Sequence, residues 1–180
     1  MLILPPEIQN IYIMGFMGCG KTTVGSLLAE KLNCPFKDTD AIIEKKIGLS
    51  IFQIFEKQGE EKFRYYEKEV ISEICQLHNQ IIALGGGAVL SSENWNKISS
   101  TGFTITLSFS PEILISRLKQ DSKRPLLHSS NNRMQLIKEL IEKRQSYYHK
   151  ADLYLHFDSA PESDIIVKKI ISHLISKKIV

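Results

Sequence analysis

The sequence predicts a three-layer α/β fold around a mainly parallel sheet, and two observations predict it. Short apolar runs alternate along the chain with stretches whose apolar residues recur at helical spacing, and a glycine-rich turn joins the first run to the first such stretch. At 180 residues, with 43% hydrophobic and 24% charged residues, the chain has the size and composition of one globular domain, residues 1–180.

The elements follow in order. Ile11-Tyr12-Ile13-Met14 reads as a buried strand that ends at Gly15, and Val24, Leu27, Leu28 and Leu32 mark the helix after the turn. Pro35 to Asp38 is a second short strand, and Asp40 is suited to cap a helix through Ile47 that Gly48 stops. Ser50 with Gln53 has the form of a capping box for a short helix ending at Gly59. Phe63, Tyr66, Val70, Ile74 and Leu77 then predict a long helix from about Glu60 to His78. Ile81 to Leu84 is a third strand, closed by Gly85-Gly86-Gly87, and Thr104 to Leu107 a fourth. Ser110-Pro111 opens a helix that fades near Gln120, because the cap residue is followed by proline at the first helical position. Residues 121–132 turn polar without a sustained period, which predicts a long loop of the kind that often serves as a lid. Leu136 to Tyr148 predict a further helix, Leu153 to Phe157 a fifth strand, and Ile166 to Leu174 a closing helix.

Gly15-Phe16-Met17-Gly18-Cys19-Gly20-Lys21-Thr22 has the spacing of a phosphate-binding loop, in the required place between strand and helix. Glycines let successive backbone N–H groups converge on phosphate oxygens, and the helix N-terminus adds its dipole. Lys21 is expected to reach the β and γ phosphates and Thr22 to offer its hydroxyl to Mg²⁺, with Gly18, Cys19, Gly20 and Thr23 completing the nucleotide contacts. The Cys19 side chain is a bystander in that role, although Lys21 and the helix start beside it would make its thiol a target for alkylation.

A nucleotide site does not fix a reaction. Asp38 and Asp40 sit two apart, and an extended backbone would put both carboxylates on one side, one for a metal and one for a substrate hydroxyl. The alternative is a helix cap beside a solvated neighbour. The triple glycine leaves a strand end bare for a ligand to approach backbone N–H groups. Arg144 stands among Leu140, Ile141, Tyr147 and Tyr148 with no carboxylate at helix-neighbour spacing, which asks for an anion from elsewhere. Arg64 has Glu60 and Glu67 at that spacing and is explained equally well as an ion pair. Arg117 and Arg124 bracket the start of the polar loop, as arginines on a closing lid do, while Asp121 offers Arg117 a simpler partner.

Charge and cysteine usage narrow the classes. A formal net charge of +3 is compatible with anionic small molecules and lacks the concentrated basic stripe of a nucleic-acid binder. No stretch has the length of a membrane span, the N-terminus does not read as a secretory signal, and the cysteines at 19, 34 and 75 form no disulfide or zinc pattern. A cytoplasmic protein with reduced thiols is expected, and no histidine pair has metal-ligand spacing.

Taken together, the loop at 15–22, Asp38-Thr39-Asp40, Phe63-Arg64, Gly85-Gly86-Gly87-Ala88-Val89, Arg124-Pro125-Leu126-Leu127 and Arg144 before a tyrosine resemble the shikimate kinase family, a branch of the nucleoside monophosphate kinase-like P-loop proteins. The resemblance implies a five-stranded parallel sheet in order 2-3-1-4-5, a substrate-binding segment near residues 40–70 and a lid near 121–132. It also implies ATP and shikimate as substrates, Mg²⁺ as cofactor, a monomer, and a step on the way to aromatic amino acids. By the same likeness Asp40, Arg64, Gly86, Gly87 and Arg144 would bind shikimate. Asp38 and Thr22 would serve Mg²⁺, Lys21, Arg117 and Arg124 would serve ATP, and Lys21, Asp40 and Arg124 would carry the catalysis. After Arg144 the stretch to Ala151 is one residue shorter than the family's usual Pro-Leu-Tyr-like segment, which leaves the register of Tyr147 and Tyr148 open. The rival of the same fold is a gluconate kinase or a nucleoside monophosphate kinase. A GTP-binding switch would need Asn-Lys-x-Asp, and Asn96-Lys97-Ile98-Ser99 lacks the aspartate.

Overall fold

The computed structural model describes residues 9–118 and 133–180, the side chain of Arg133 excepted. The expected lid, residues 121–132, and Arg124 within it lie outside the described residues. Five strands, β1 (Asn10–Met14), β2 (Phe36–Asp38), β3 (Gln80–Ala83), β4 (Gly102–Phe109) and β5 (Leu153–Phe157), form one sheet in the order β2-β3-β1-β4-β5, and every pairing is parallel. Between them run α1 (Lys21–Leu32), α2 (Thr39–Ile47), α3 (Ile51–Ile74), α4 (Ser92–Ser100), α5 (Pro111–Leu118), α6 (Arg133–Tyr148) and α7 (Ser163–Ser176).

Every residue of β1 is buried, as a central parallel strand covered on both faces must be. The Tyr12 hydroxyl meets Cys75 at the end of α3 and Thr101 at the end of α4, whereas the Ile13 side chain lies against Gly25 of α1. Successive strand residues point to opposite faces, so these contacts put α1 and the α3/α4 pair on opposite sides of the sheet. With α7 packed on α1, three layers result. The register Ile13 to Ala83 and Ile13 to Ile105 brings the carboxyl ends of β1, β3 and β4 to one edge, where open α/β sheets bind ligands.

Four local expectations are corrected. The strand stops at Asp38 and the chain turns at once into α2, so Asp38 rather than Asp40 is the cap: its Oδ1 accepts from the N–H of Asp40 at 3.0 Å and of Ala41 at 3.4 Å. Asp40 therefore sits in the first turn of a helix, and strand alternation does not relate the two carboxylates. The long helix ends at Ile74, not His78. Cys75 closes it, Leu77 is exposed, and Asn79 at φ 58° turns the chain into β3. Helix α4 and the short 3₁₀ turn Ala88–Leu90 were not expected from the sequence. The capping box at Ser50 and Gln53 is present, and Gly59 at φ 83° breaks α3 where the short helix was expected to end. No helix among the described residues is long and apolar enough to cross a membrane.

Candidate active site

The turn after β1 can be made only with glycine at its hinges. Gly15 holds φ 144°, and a Cβ there would collide with the Leu107 carbonyl of β4. Gly20, at φ 90°, caps α1 without a side chain, and no acidic residue occupies the first turn. The N–H groups and positive dipole end of a twelve-residue helix are thus left for an anion. Lys21 folds over this loop, donating from Nζ to the carbonyls of Gly15 at 3.0 Å and Phe16 at 3.1 Å. The Thr22 hydroxyl donates to Asp38 Oδ2 at 2.7 Å, which joins the loop to the end of β2. Arg117 reaches the same loop, with Nη1 3.3 Å from the Gly18 carbonyl and its guanidinium 4.4 Å from the Phe109 ring centroid.

Gly18, Gly20, Lys21, Thr22, Thr23 and Asp38 line one cleft. Cys19 is not part of its lining; its N–H closes the turn onto Phe16 and its side chain is 1% exposed, so the expected reactivity toward alkylating reagents is withdrawn for lack of access.

A second cleft, about 480 Å³ including the space open to solvent, lies next to the first. Its apolar wall is Ile51, Phe55 and Phe63, the two rings 4.8 Å apart, and its polar wall is Arg64, Glu67, Arg144 and the triple glycine. Asp40, Gly86 and Met17 line both clefts, whereas Arg64 and Arg144 line only the second of the two. The resulting space has a hydrophobic side, two guanidinium groups, and a carboxylate at the boundary with the phosphate-binding cleft.

The side chains around it are fixed by one another. Gly85 N donates to the buried Thr39 hydroxyl at 2.8 Å, holding the glycine turn against the start of α2. A Cβ on Gly85 would lie 2.6 Å from Asp40 Oδ1 and 3.1 Å from Glu67 Oε1, so these carboxylates crowd the same point of backbone. Arg64 donates to Glu60 Oε1 at 3.0 Å and to Glu67 Oε2 at 2.8 Å while still lining the cleft, so its two sequence readings hold together. Burial pushes the Glu67 carboxyl above its ordinary range, Arg64 beside it pulls it back, Asp40 pushes it further up, and Arg144 lowers it. Burial opposes the Arg64 charge, but Glu67 and Glu60 outweigh it and raise the guanidinium pKa.

Arg144 is 5% exposed and forms no ion pair with a carboxylate among the described residues. Its Nη1 lies 3.4 Å from the Gly86 carbonyl, and its guanidinium 5.7 Å from the Phe16 centroid. The buried guanidinium lies over the Phe16 ring, beside the Tyr148 hydroxyl and within electrostatic reach of Glu67 without a salt bridge to it, so an anion in the cleft would supply the direct partner.

A family model described as shikimate kinase matches residues 17–175. The chain belongs to the shikimate kinase family. A shikimate kinase of Caldicellulosiruptor saccharolyticus is 43% identical over 172 residues, covering 95% of this chain and 98% of that one. A solved shikimate kinase of Acinetobacter baumannii, in complex with shikimate, superposes with a TM-score of 0.89 at 34% identity over 96% of each chain. A gluconokinase of Sinorhizobium meliloti superposes with a TM-score of 0.61 at 17% identity, covering 96% of this chain and 94% of that one, which is a likeness of fold alone.

Within this shikimate kinase fold, burial distinguishes the two tyrosines after Arg144. Tyr148, one helical turn on, is 6% exposed and points at the glycine turn, while Tyr147 is half-buried with Lys150 Nζ 4.9 Å from its ring centroid. Two residues of the site were not assigned to it from the sequence. Glu67 was read only as a partner for Arg64, yet it lies four residues after Phe63 and three before Val70, on the buried stripe of α3. Tyr148 was read only as an apolar member of its helix.

Proposed function

We propose that this chain transfers the γ-phosphoryl group of ATP to the 3-hydroxyl of shikimate, giving shikimate 3-phosphate and ADP on the route to aromatic amino acids. The observation that carries this reading is the shared wall: Asp40 and Gly86 border the phosphate-binding cleft on one side and the cleft of Arg64 and Arg144 on the other. A cyclic acid with its carboxylate on the two arginines and its ring on Phe55 and Phe63 presents a hydroxyl to Asp40, facing the nucleotide's terminal phosphate.

In this mechanism the first-cleft residues Gly18, Gly20, Lys21, Thr22 and Thr23, with the Cys19 backbone in the turn, cradle the phosphates. Asp40 accepts the hydrogen bond of the 3-hydroxyl, orients it, and takes its proton as the new O–P bond forms. Lys21 swings from the loop carbonyls to the phosphates, where it and Arg117 meet the negative charge of the transferring group. Arg124, which lies outside the described residues, would share that task by the family resemblance.

The residues present fit Mg²⁺. Thr22 and Asp38 supply two hard oxygen ligands already 2.7 Å apart beside the phosphate cleft. Thr22 and Asp38 would hold the ion, and when bound it screens the phosphate charge. Free cysteines at 19, 34 and 75 and the use of ATP support a cytoplasmic location.

The test is ADP release measured with shikimate, quinate, gluconate and AMP as acceptors in parallel. Turnover with shikimate well above the other three is expected; turnover with gluconate or AMP and none with shikimate would overturn the substrate.

A further inference from the structure

We infer that Tyr148 is a positioning residue for carboxylate recognition, acting through the Gly86–Gly87 peptide. The inference deepens the proposed function and rests on the shikimate reading given there.

The Tyr148 hydroxyl donates to the Gly86 carbonyl at 2.6 Å, from a side chain that is 6% exposed. The same carbonyl oxygen is the acceptor for Arg144 Nη1 at 3.4 Å. Both donors come from α6, one helical turn apart. The main chain at Tyr148 is itself anchored, because its carbonyl accepts from the buried Thr106 hydroxyl at 2.7 Å on β4. The tyrosine ring is therefore held between the sheet and the glycine turn, and its hydroxyl has a defined place.

Two consequences follow for an anion in the cleft. A trans peptide fixes its C=O and N–H in opposite directions, and no described peptide bond is cis. Drawing the Gly86 carbonyl toward α6 turns the Gly87 N–H away from α6, in a residue whose Cβ position is taken by the Arg64 guanidinium. Among the described residues that N–H donates to no protein acceptor, so it is a preset donor beside Arg64. Glycine at 86 and 87 makes the peptide easy to rotate, which is why an external hydroxyl has to set it.

The second consequence concerns Arg144. With Tyr148 satisfying the carbonyl at short range, Arg144 is left with one long contact there, a hydrogen bond to the Tyr148 hydroxyl that orients the guanidinium, and its remaining donors for the ligand. Without the hydroxyl, the carbonyl would compete with the ligand carboxylate for the guanidinium. Tyr148 thus keeps the peptide N–H and Arg144 aimed at one point, without itself touching substrate or the reacting atoms.

The experiment compares wild type and Tyr148→Phe on two acceptors, shikimate and the analogue whose carboxylate is replaced by a hydroxymethyl group. Loss of the hydroxyl is expected to raise KM for shikimate about tenfold, the size of one lost hydrogen bond in a charge-bearing site. KM for ATP and kcat should stay within about twofold, and the preference for acid over alcohol should shrink by the same tenfold. An unchanged KM for shikimate, or an equal loss on both acceptors, would overturn the inference and leave Tyr148 as core packing. Wild type that turns over no shikimate would overturn the proposed function, and this inference with it. If Tyr148→Phe does not fold, 3-fluorotyrosine placed at 148 carries the test: its more acidic hydroxyl donates more strongly and should lower KM for shikimate, and a raised KM would contradict the inference.

Discussion

Arg64 and Arg144 meet the two halves of one glycine pair: a Cβ on Gly87 would lie 2.6 Å from Arg64 Nη1, and a Cβ on Gly86 would lie 3.8 Å from Arg144 Nη1. Two cations on helices far apart in the chain therefore converge on a single peptide. Arg64 is neutralised by Glu60 and Glu67, whereas Arg144 forms no ion pair with a described carboxylate, so a ligand carboxylate gains more from Arg144. Arg144→Ala should raise KM for shikimate by about 10- to 100-fold, the range for a lost hydrogen bond to a charged partner. KM for ATP should change by less than about threefold. Equal losses for both substrates in a folded variant would return Arg144 to a structural role.

Gly87→Ala isolates Arg64 from the fold. The backbone at Gly87, φ −105° and ψ −6°, accepts alanine, and the clash would be with the guanidinium end of a flexible side chain. The thermal midpoint should move little while KM for shikimate rises about tenfold, as expected for one displaced charged donor. Gly15→Ala should behave oppositely, since its clash is with the main chain of β4 at a positive φ. A thermal melt of both variants decides the point: equal midpoints would contradict this division.

Asp40→Asn keeps the shape of the wall between the clefts and removes the proton acceptor. A fall in kcat of about 10²- to 10⁴-fold is expected, the usual worth of general-base catalysis, with ATP binding retained. A kcat within threefold of wild type would show that Asp40 neither orients nor deprotonates the hydroxyl.

Glu67 gives a pH signature. Its carboxyl is raised in the folded state, so the folded chain binds more protons than the unfolded chain between the two pKa values, and its contribution to stability falls as pH rises through that window. Glu67→Gln has no such decline. Relative to wild type, the variant should gain in thermal midpoint on going from acidic to neutral pH, and a constant or falling difference would contradict the assigned direction.

The five strands, the phosphate loop and Arg144 were legible because each rests on a local pattern, namely apolar runs, a spaced glycine loop and an arginine on an apolar stripe, whereas the strand order and the ligand role of Arg64 came only with the family resemblance. Helix α4 was not legible, since Ser92–Ser100 carries only Trp95 and Ile98 as large apolar residues, and its buried Asn94 spends its amide on the Ala88 carbonyl. The cap was assigned to Asp40 instead of Asp38 because both are good caps, and the choice depends on where the strand stops, which pairing with β3 decides. Glu67 was hidden by its chemistry: a glutamate is read as solvated, although its position on the stripe of Phe63 and Val70 pointed inward. The place of Tyr148 depended on a contact across the molecule to Gly86, which no local spacing carries.

Direct transfer across the wall of Asp40, Gly86 and Met17 is tested most directly by following the configuration of the γ-phosphorus, using shikimate and ATP made chiral there with oxygen isotopes. A single in-line displacement between the two clefts inverts that configuration. Inversion is the result expected here, and retention, the mark of a phosphorylated enzyme intermediate, would contradict it.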